Sequence, residues 1–164
     1  LPHWAVSIAL EHKGHIVAGV VFDPAKDEMF FAEKGQGSYM NDTRLRVSGR
    51  YKMIEGLFST GMPFGGRSDL PETLKELGRL LPVCSGVRRF GAAALDLAYV
   101  AAGRYDGFWE RNLNAWDIAA GVIIVKEAGG LVEPVTQGHN IIEDGEVICA
   151  NDAMFSQLAK IVRA

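Results

Sequence analysis

The longest apolar stretch of the chain, Ile118–Val125 within "NAWDIAAGVIIVKEAGG", is entered through Asp117 and closed by Gly129 and Gly130. A run that ends on a glycine pair reads as one helix, because glycine supplies the left-handed turn that terminates helices. It is far shorter than the roughly 20 residues needed to span a bilayer. With 48% hydrophobic residues among 164, the chain has the length and composition of one globular, soluble unit with a sizeable core. The fold must therefore bury this helix against other elements and place a carboxylate at its boundary.

The remaining sequence supplies those elements. "HWAVSIALE", "HIVAGVVF" and "EMFFAEKG" are short β runs separated by "HKG" and "DPAKD", the pattern of an antiparallel meander, and "GQGSYMND" leads into another strand. From about Met53 the rhythm changes. "GLFST", "GVRRF", "YDGFWE", "GLVEP" and "EVICAN" read as strands. Between them lie "LPETLKELGRLLP", with Leu70, Leu74, Leu77 and Leu81 on one helical face, and "GAAALDLAYVAAG", a helix from Gly91 to Gly103. Asp152 is expected to cap a final helix, "AMFSQLAKIV". Strands alternating with helices imply an α/β (α+β layered) arrangement. Residues 1–52 form the antiparallel-sheet section and residues 53–164 the α/β section, packed together with no linker between them.

Composition narrows the functional classes. A formal charge of -3 offers no electrostatic case for direct nucleic-acid binding. The cluster Arg44, Arg46, Arg50 and Lys52 reads as a solvated face. Cys84 and Cys149 match no metal or redox spacing and read as reduced thiols, consistent with a cytoplasmic setting and no membrane partner. His3, His12, His15 and His139 show no ligand spacing and read as surface or turn residues. Trp109 and Trp116 read as packing, Asp96 as half of a buried ion pair with Arg88 or Arg89, and Asp106 as a turn residue before Gly107.

Three features carry candidate chemistry, each with a plainer alternative. The sequence pattern favours Asp117 as an N-cap; the sharper reading is a metal ligand, since a helix N-terminus keeps a carboxylate ionised and hard cations take oxygen ligands. Glu110 ends a strand where ligand contacts commonly sit in α/β folds, or is an ordinary exposed glutamate. Gly91, Ala92 and Ala93 start a helix with tiny residues, which exposes backbone N–H groups to an anion such as a phosphate ester or allows close helix packing. Together they outline a phosphate-ester site.

The stretch "GAAALDLAYVAAGRYDGFWERNLNAWDIAAGVIIVKEAGGLV" resembles the C-terminal signature of the inositol monophosphatase family, whose W-D-x-A-A-G motif is matched by Trp116 to Gly121. "LPHWAVSIAL" resembles the strand after the family's Asp-Pro-Ile/Leu-Asp-Gly-Thr segment, and "KGQGSYMN" its following hairpin; "SGVRRFGAAALDLAYVAAG" resembles the bacterial extragenic-suppressor branch. The resemblance implies a sugar-phosphatase-like αβαβα sandwich, here its C-terminal portion, and a Mg2+-dependent, lithium-sensitive phosphomonoesterase, usually a homodimer. Asp117 would bind a second magnesium ion, Glu110 would accept a substrate hydroxyl, and Gly91, Ala92 and Ala93 would contact the phosphate or ring hydroxyls. Ala92 stands where relatives carry Thr or Ser.

The implied chemistry is in-line attack on phosphorus by a metal-activated water, with inositol 1-phosphate as the leading substrate. Fructose 1,6-bisphosphate, a 3′-phosphoadenosine nucleotide and histidinol phosphate are the alternatives. Transcription machinery is the partner implied by the extragenic-suppressor branch. The family's upstream glutamate pair and its Asp-Pro-Ile/Leu-Asp-Gly-Thr segment are not in this sequence, and "FDPAKDE" at Phe22–Glu28 reads as a turn rather than a substitute. No catalytic residue is assigned, and the 164-residue chain alone is expected to bind magnesium poorly and hydrolyse little.

Overall fold

The computed structural model describes residues 1–63 and 70–164. The meander forms as expected, with β1 (Val6–His12), β2 (His15–Asp23), β3 (Glu28–Glu33), β4 (Gly37–Met40) and β5 (Thr43–Arg44) pairing antiparallel in chain order. Strand alternation splits its residues between two faces. Gly19, Val21, Phe30 and Ala32 point inward, and Val21 and Phe30 are fully buried. Val6, Ile8 and Leu10 of the edge strand lie exposed on the opposite face. "DPAKD" is a turn: the buried Asp23 accepts the Ala25 N–H at 3.0 Å and pairs with Lys26 Nζ at 2.5 Å.

The second sheet is mixed, in the order β7 (Gly86–Arg88), β6 (Leu57–Thr60), β8 (Gly107–Glu110), β10 (Val147–Ala150), β9 (Leu131–Glu133). β6 runs parallel to both β7 and β8, whereas β10 is antiparallel to β8 and β9. Helices α2 (Ala93–Ala101) and α3 (Ala115–Glu127) pack against each other between the two sheets, and α1 (Leu70–Leu80) and α5 (Asp152–Val162) cover the other face of the second sheet. A short α4 (Ile141–Asp144) precedes β10. The result is a β-α-β-α stack, four consecutive layers of the αβαβα sandwich. Each sheet buries an apolar face on helices, as a layered fold requires. No helix among the described residues is long and apolar enough to cross a membrane.

The apolar run Ile118–Val125 lies in α3, and Ile118, Ile124 and Val125 are fully buried in the central core. Two glycines set its distance from its neighbours. A Cβ on Gly121 would lie 2.5 Å from Leu97 Cβ of α2, and one on Gly19 would lie 2.8 Å from the Ala120 backbone. Both packings depend on the absence of a side chain.

Several expectations are corrected. The face of α1 that packs inward carries Thr73, Glu76, Leu77 and Leu80, while Leu70, Leu74 and Leu81 are exposed. Glu76 decides this orientation: its buried carboxylate receives Trp109 Nε1–H at 2.8 Å and pairs with Arg111 at 2.6 Å. Asn151, not Asp152, caps α5, accepting the Met154 N–H at 2.9 Å. Helix α2 is shorter than Gly91 to Gly103, because both glycines sit in the left-handed region, at φ of 85° and 68°.

Asp106 is more than a turn residue. It is fully buried and accepts hydrogen bonds from Arg50 Nε at 2.9 Å to each oxygen, from the Leu57 N–H at 2.7 Å, and from Ser48 Oγ. Asn151 Nδ2 joins the same network through Ser48 Oγ and the Arg50 carbonyl. Arg50 is thereby drawn out of the solvated basic face and made a clamp between the segment after β5 and the start of β8. One histidine departs from the surface reading: His3 is half-buried against Phe90 and Tyr99, whereas His139 stays exposed, with Nδ1 3.1 Å from Glu146. Cys84 and Cys149 are free and buried.

Candidate functional site

Glu110 is the last residue of β8, held there by pairing on both sides: Val147 of β10 lies opposite it, and Thr60 of β6 lies opposite the preceding Trp109. Thr60 Oγ1 donates to the Trp109 carbonyl at 2.7 Å, which locks the ends of the two parallel strands. The next residue along β6 is Gly61, and the Glu110 carboxyl lies where a side chain on Gly61 would be. A Cβ placed there would meet Glu110 Oε1 at 1.8 Å. Glu110 is half-buried, so its carboxylate is seated on backbone rather than extended into water.

Beside it is a polar cavity of about 10 Å³, lined by Thr60, Gly61, Thr73, Glu76, Trp109 and Arg111 among others. That is the room of about one water molecule. Arg111 was not singled out from the sequence. Its ion pair to the buried Glu76 fixes a guanidinium in the same cavity as Glu110. Trp109, 1% exposed, is packing as expected, but Trp116 projects into solvent with 68% of its surface exposed.

Gly91, Ala92 and Ala93 lie where expected, at the start of α2. Gly91 takes φ of 85°, Ala92 is the N-cap residue, and no side chain caps the helix. The first N–H groups of an uncapped helix carry the positive end of its dipole. Asp96, in the first turn of α2, is 2% exposed. Its expected ion pair does not form: Oδ1 has no hydrogen-bond partner, and the Arg88 side chain turns back to the Val87 carbonyl. Burial and then the charge of Glu110 push the Asp96 carboxyl up to about 8, with Ser59 and Arg89 drawing it weakly the other way. Glu110 thus lies within electrostatic reach of the first turn of α2.

Asp117 is not the N-cap of α3. Asn114 occupies that position, and Asp117, three residues on, accepts the Asn114 backbone N–H at 2.9 Å in a capping box. This arrangement engages Oδ2 and aligns the carboxylate with the helix N-terminus. The described residues contain no cluster of three or more His, Cys, Asp or Glu side chains that could hold a metal ion. The candidate site has an acidic strand end within electrostatic reach of the first turn of the uncapped α2, and a second carboxylate, Asp117, in the first turn of the adjoining α3.

The family model described as inositol monophosphatase matches residues 1–164. The chain belongs to the inositol monophosphatase family. It is 50% identical over 163 residues to the inositol-1-monophosphatase of Mesorhizobium japonicum, covering 99% of this chain and 61% of that relative. It is 46% identical over 165 residues to the Nus factor SuhB of Pseudomonas aeruginosa, again 99% of this chain and 61% of the relative. The crystal structure of the extragenic suppressor protein SuhB from Bartonella henselae superposes with a TM-score of 0.92 at 48% identity, covering 97% of this chain and 62% of that one. The chain therefore spans about three-fifths of the length of the relatives it matches. Membership in the family accounts for the W-D-x-A-A-G motif at the start of α3, and the similarity to SuhB proteins places the chain in the SuhB-like branch.

Proposed function

We propose that this chain carries the substrate-holding part of a Mg2+-dependent phosphomonoesterase acting on inositol 1-phosphate. The observation that supports it is the seat of Glu110 on the bare backbone of Gly61, beside the uncapped start of α2. A carboxylate offered next to free N–H groups suits a ligand with a hydroxyl at one end and a phosphate at the other. The hydroxyl donates to Glu110, and the N–H groups of residues 91–93 donate to the phosphate. Binding energy from both ends would hold the ester in one orientation, which is the larger part of what a phosphatase scaffold contributes.

A magnesium ion, when bound in this family, supplies charge neutralisation and an activated water. In this chain Asp117 is the carboxylate suited to face it. One such residue does not make a magnesium site, and the described residues add no cluster to it. We therefore assign no chemical step to the chain's own residues and expect little hydrolysis from the chain alone. A homodimer and inhibition by lithium belong to the same reading.

The test is binding of inositol 1-phosphate, followed by backbone NMR at residues 91–93 and by titration calorimetry, with Glu110→Gln alongside the native chain. Weaker binding in the variant, with the amide response kept, supports the reading; equal binding rejects it. Magnesium-dependent phosphate release by the chain alone would overturn the expectation of low activity. A panel of fructose 1,6-bisphosphate, a 3′-phosphoadenosine nucleotide and histidinol phosphate ranks the alternative esters.

A second reading is favoured by the 46% identity to a protein named Nus factor SuhB. There the chain would also present a surface to transcription machinery. Capture of transcription factors that survives Asp117→Asn would support it, and capture that is absent or lost with Asp117 would reject it.

A further inference from the structure

Asp96 is the buried acid that the reading above leaves without a task. It lies in the first turn of α2 with 2% of its surface exposed, and its Oδ1 makes no hydrogen bond. Ser59 Oγ on β6, beside it, is also buried and without a well-formed hydrogen bond. The groups acting on it come from every side. Glu110 faces it from β8, Ser59 from β6, Arg89 from the segment before α2, Tyr105 from the turn after α2, and Cys149 from β10. Burial pushes the Tyr105 hydroxyl and the Cys149 thiol up, so both stay neutral. Among the described residues, the groups acting on Asp96 are thus one anion, one cation and neutral groups.

An ionised carboxylate buried without a partner is far more costly than its protonated form, which needs only one acceptor. Ser59 Oγ is within reach to accept that proton. Two neighbouring buried atoms, Asp96 Oδ1 and Ser59 Oγ, each without a well-formed hydrogen bond, fit a carboxylic acid better than a carboxylate.

We propose that Asp96 is a positioning residue of the phosphate-ester site: held as a neutral acid between Glu110 and the first turn of α2, it keeps Glu110 the lone anion there and leaves the helix start open to phosphate. The proposal rests on the anion-binding reading of residues 91–93. Its consequence is a built-in alkaline limit. When Asp96 loses its proton, a second negative charge appears within the first helical turn, where it competes with the ligand for the positive end of the dipole and repels a phosphate dianion. Glu110 and Asp96 then repel each other, and the seat on Gly61 loosens. The neutral acid acts on the ligand only through these neighbours.

The experiment is a pair of NMR titrations on the native chain, Glu110→Gln and Asp96→Asn. The carbon-detected carboxyl signal of Asp96 is followed against pH, and the amides of residues 91–93 are followed with inorganic phosphate as the probe. In the native chain Asp96 titrates near 8, and Glu110→Gln moves that midpoint downward. The phosphate-induced shifts of the amides fade between about pH 7 and 9 in the native chain and persist in Asp96→Asn. An Asp96 signal that titrates in the ordinary carboxyl range, or one that Glu110→Gln leaves unmoved, overturns the proposal. So does a phosphate response that fades equally in Asp96→Asn. Amides that ignore phosphate at every pH overturn the anion-binding reading itself, a separate failure, because the carboxyl titration still reports whether Asp96 and Glu110 are coupled. Glu110→Gln leaves Asp96 in place, so this arm stands even where Asp96→Asn unfolds.

Discussion

Arg50 Nε donates to both carboxylate oxygens of Asp106 at 2.9 Å, joining the strand-free segment after the meander to the first turn into β8. Asp106 also receives the Leu57 N–H and Ser48 Oγ, so one buried carboxylate satisfies donors from two stretches of chain, residues 48–50 and the start of β6. Removing it leaves those donors without acceptors, which costs more than the ion pair itself returns. Asp106→Ala is expected to lower the unfolding free energy by about 3 kcal/mol, read from urea midpoints at constant m. A loss below about 1 kcal/mol would show that water replaces the carboxylate there.

Asp96 predicts a pH dependence with a definite sign. Its folded-state value is raised to about 8, above the ordinary carboxyl range of the unfolded chain. Its contribution to stability is therefore full below that range and falls as pH rises, until it levels off above 8. The slope is at most about 1.4 kcal/mol per pH unit. Asp96→Asn keeps a donor toward Ser59 and cannot ionise, so it should melt higher than the native chain at neutral pH, with the advantage shrinking toward pH 4. Thermal melts across that window measure it; parallel curves for the two proteins would refute it.

Gly61 separates function from stability. An alanine there overlaps Glu110 Oε1, which is the end of a flexible side chain, and φ at Gly61 is not in the left-handed region. Gly61→Ala should therefore cost less than about 1 kcal/mol while displacing the Glu110 carboxyl from its seat. Unchanged denaturation with weakened inositol 1-phosphate binding is the expected pair of results. A large loss of stability would place Gly61 in the fold rather than the site.

Gly121 should behave in the opposite way. Its missing side chain lets α3 lie against Leu97 of α2, and an alanine would force the two helices apart in a core that cannot absorb the volume. Gly121→Ala is expected to cost about 1–3 kcal/mol, and Leu97→Ala in the same chain should recover part of it. A double-mutant cycle with no coupling would contradict the contact.

Much of this was legible in the residues because local pattern and tertiary role agreed. The meander alternates as its burial does, and α2 and α3 end where their glycines turn. The motif Trp116 to Gly121 falls at a helix start as its chemistry requires. Reading failed where a long-range partner overrode the local signal. The leucines of α1 outnumber its polar residues on one face, yet Glu76 turns the helix because Trp109 and Arg111, far along the chain, wait for a carboxylate. Asp106 looks like the first residue of an Asp-Gly turn until Arg50 arrives from the segment after the meander. Asn114 took the capping place expected of Asp117, since a capping box needs both and the aspartate alone drew notice. Nothing in "ALDLAY" shows that Asp96 forms no ion pair with Arg88 or Arg89; its burial, against their exposed positions, does.

The contact of Gly19 with the Ala120 backbone makes β2 the gauge against which α3 is set. Ala120 lies one helical turn beyond Asp117, so a shift of α3 at that contact is carried to the carboxylate with little attenuation. A substitution at Gly19, on a strand that carries none of the candidate residues, should be read in assays as a defect of the site. What that glycine supplies to the site is a spacing rather than a chemical group.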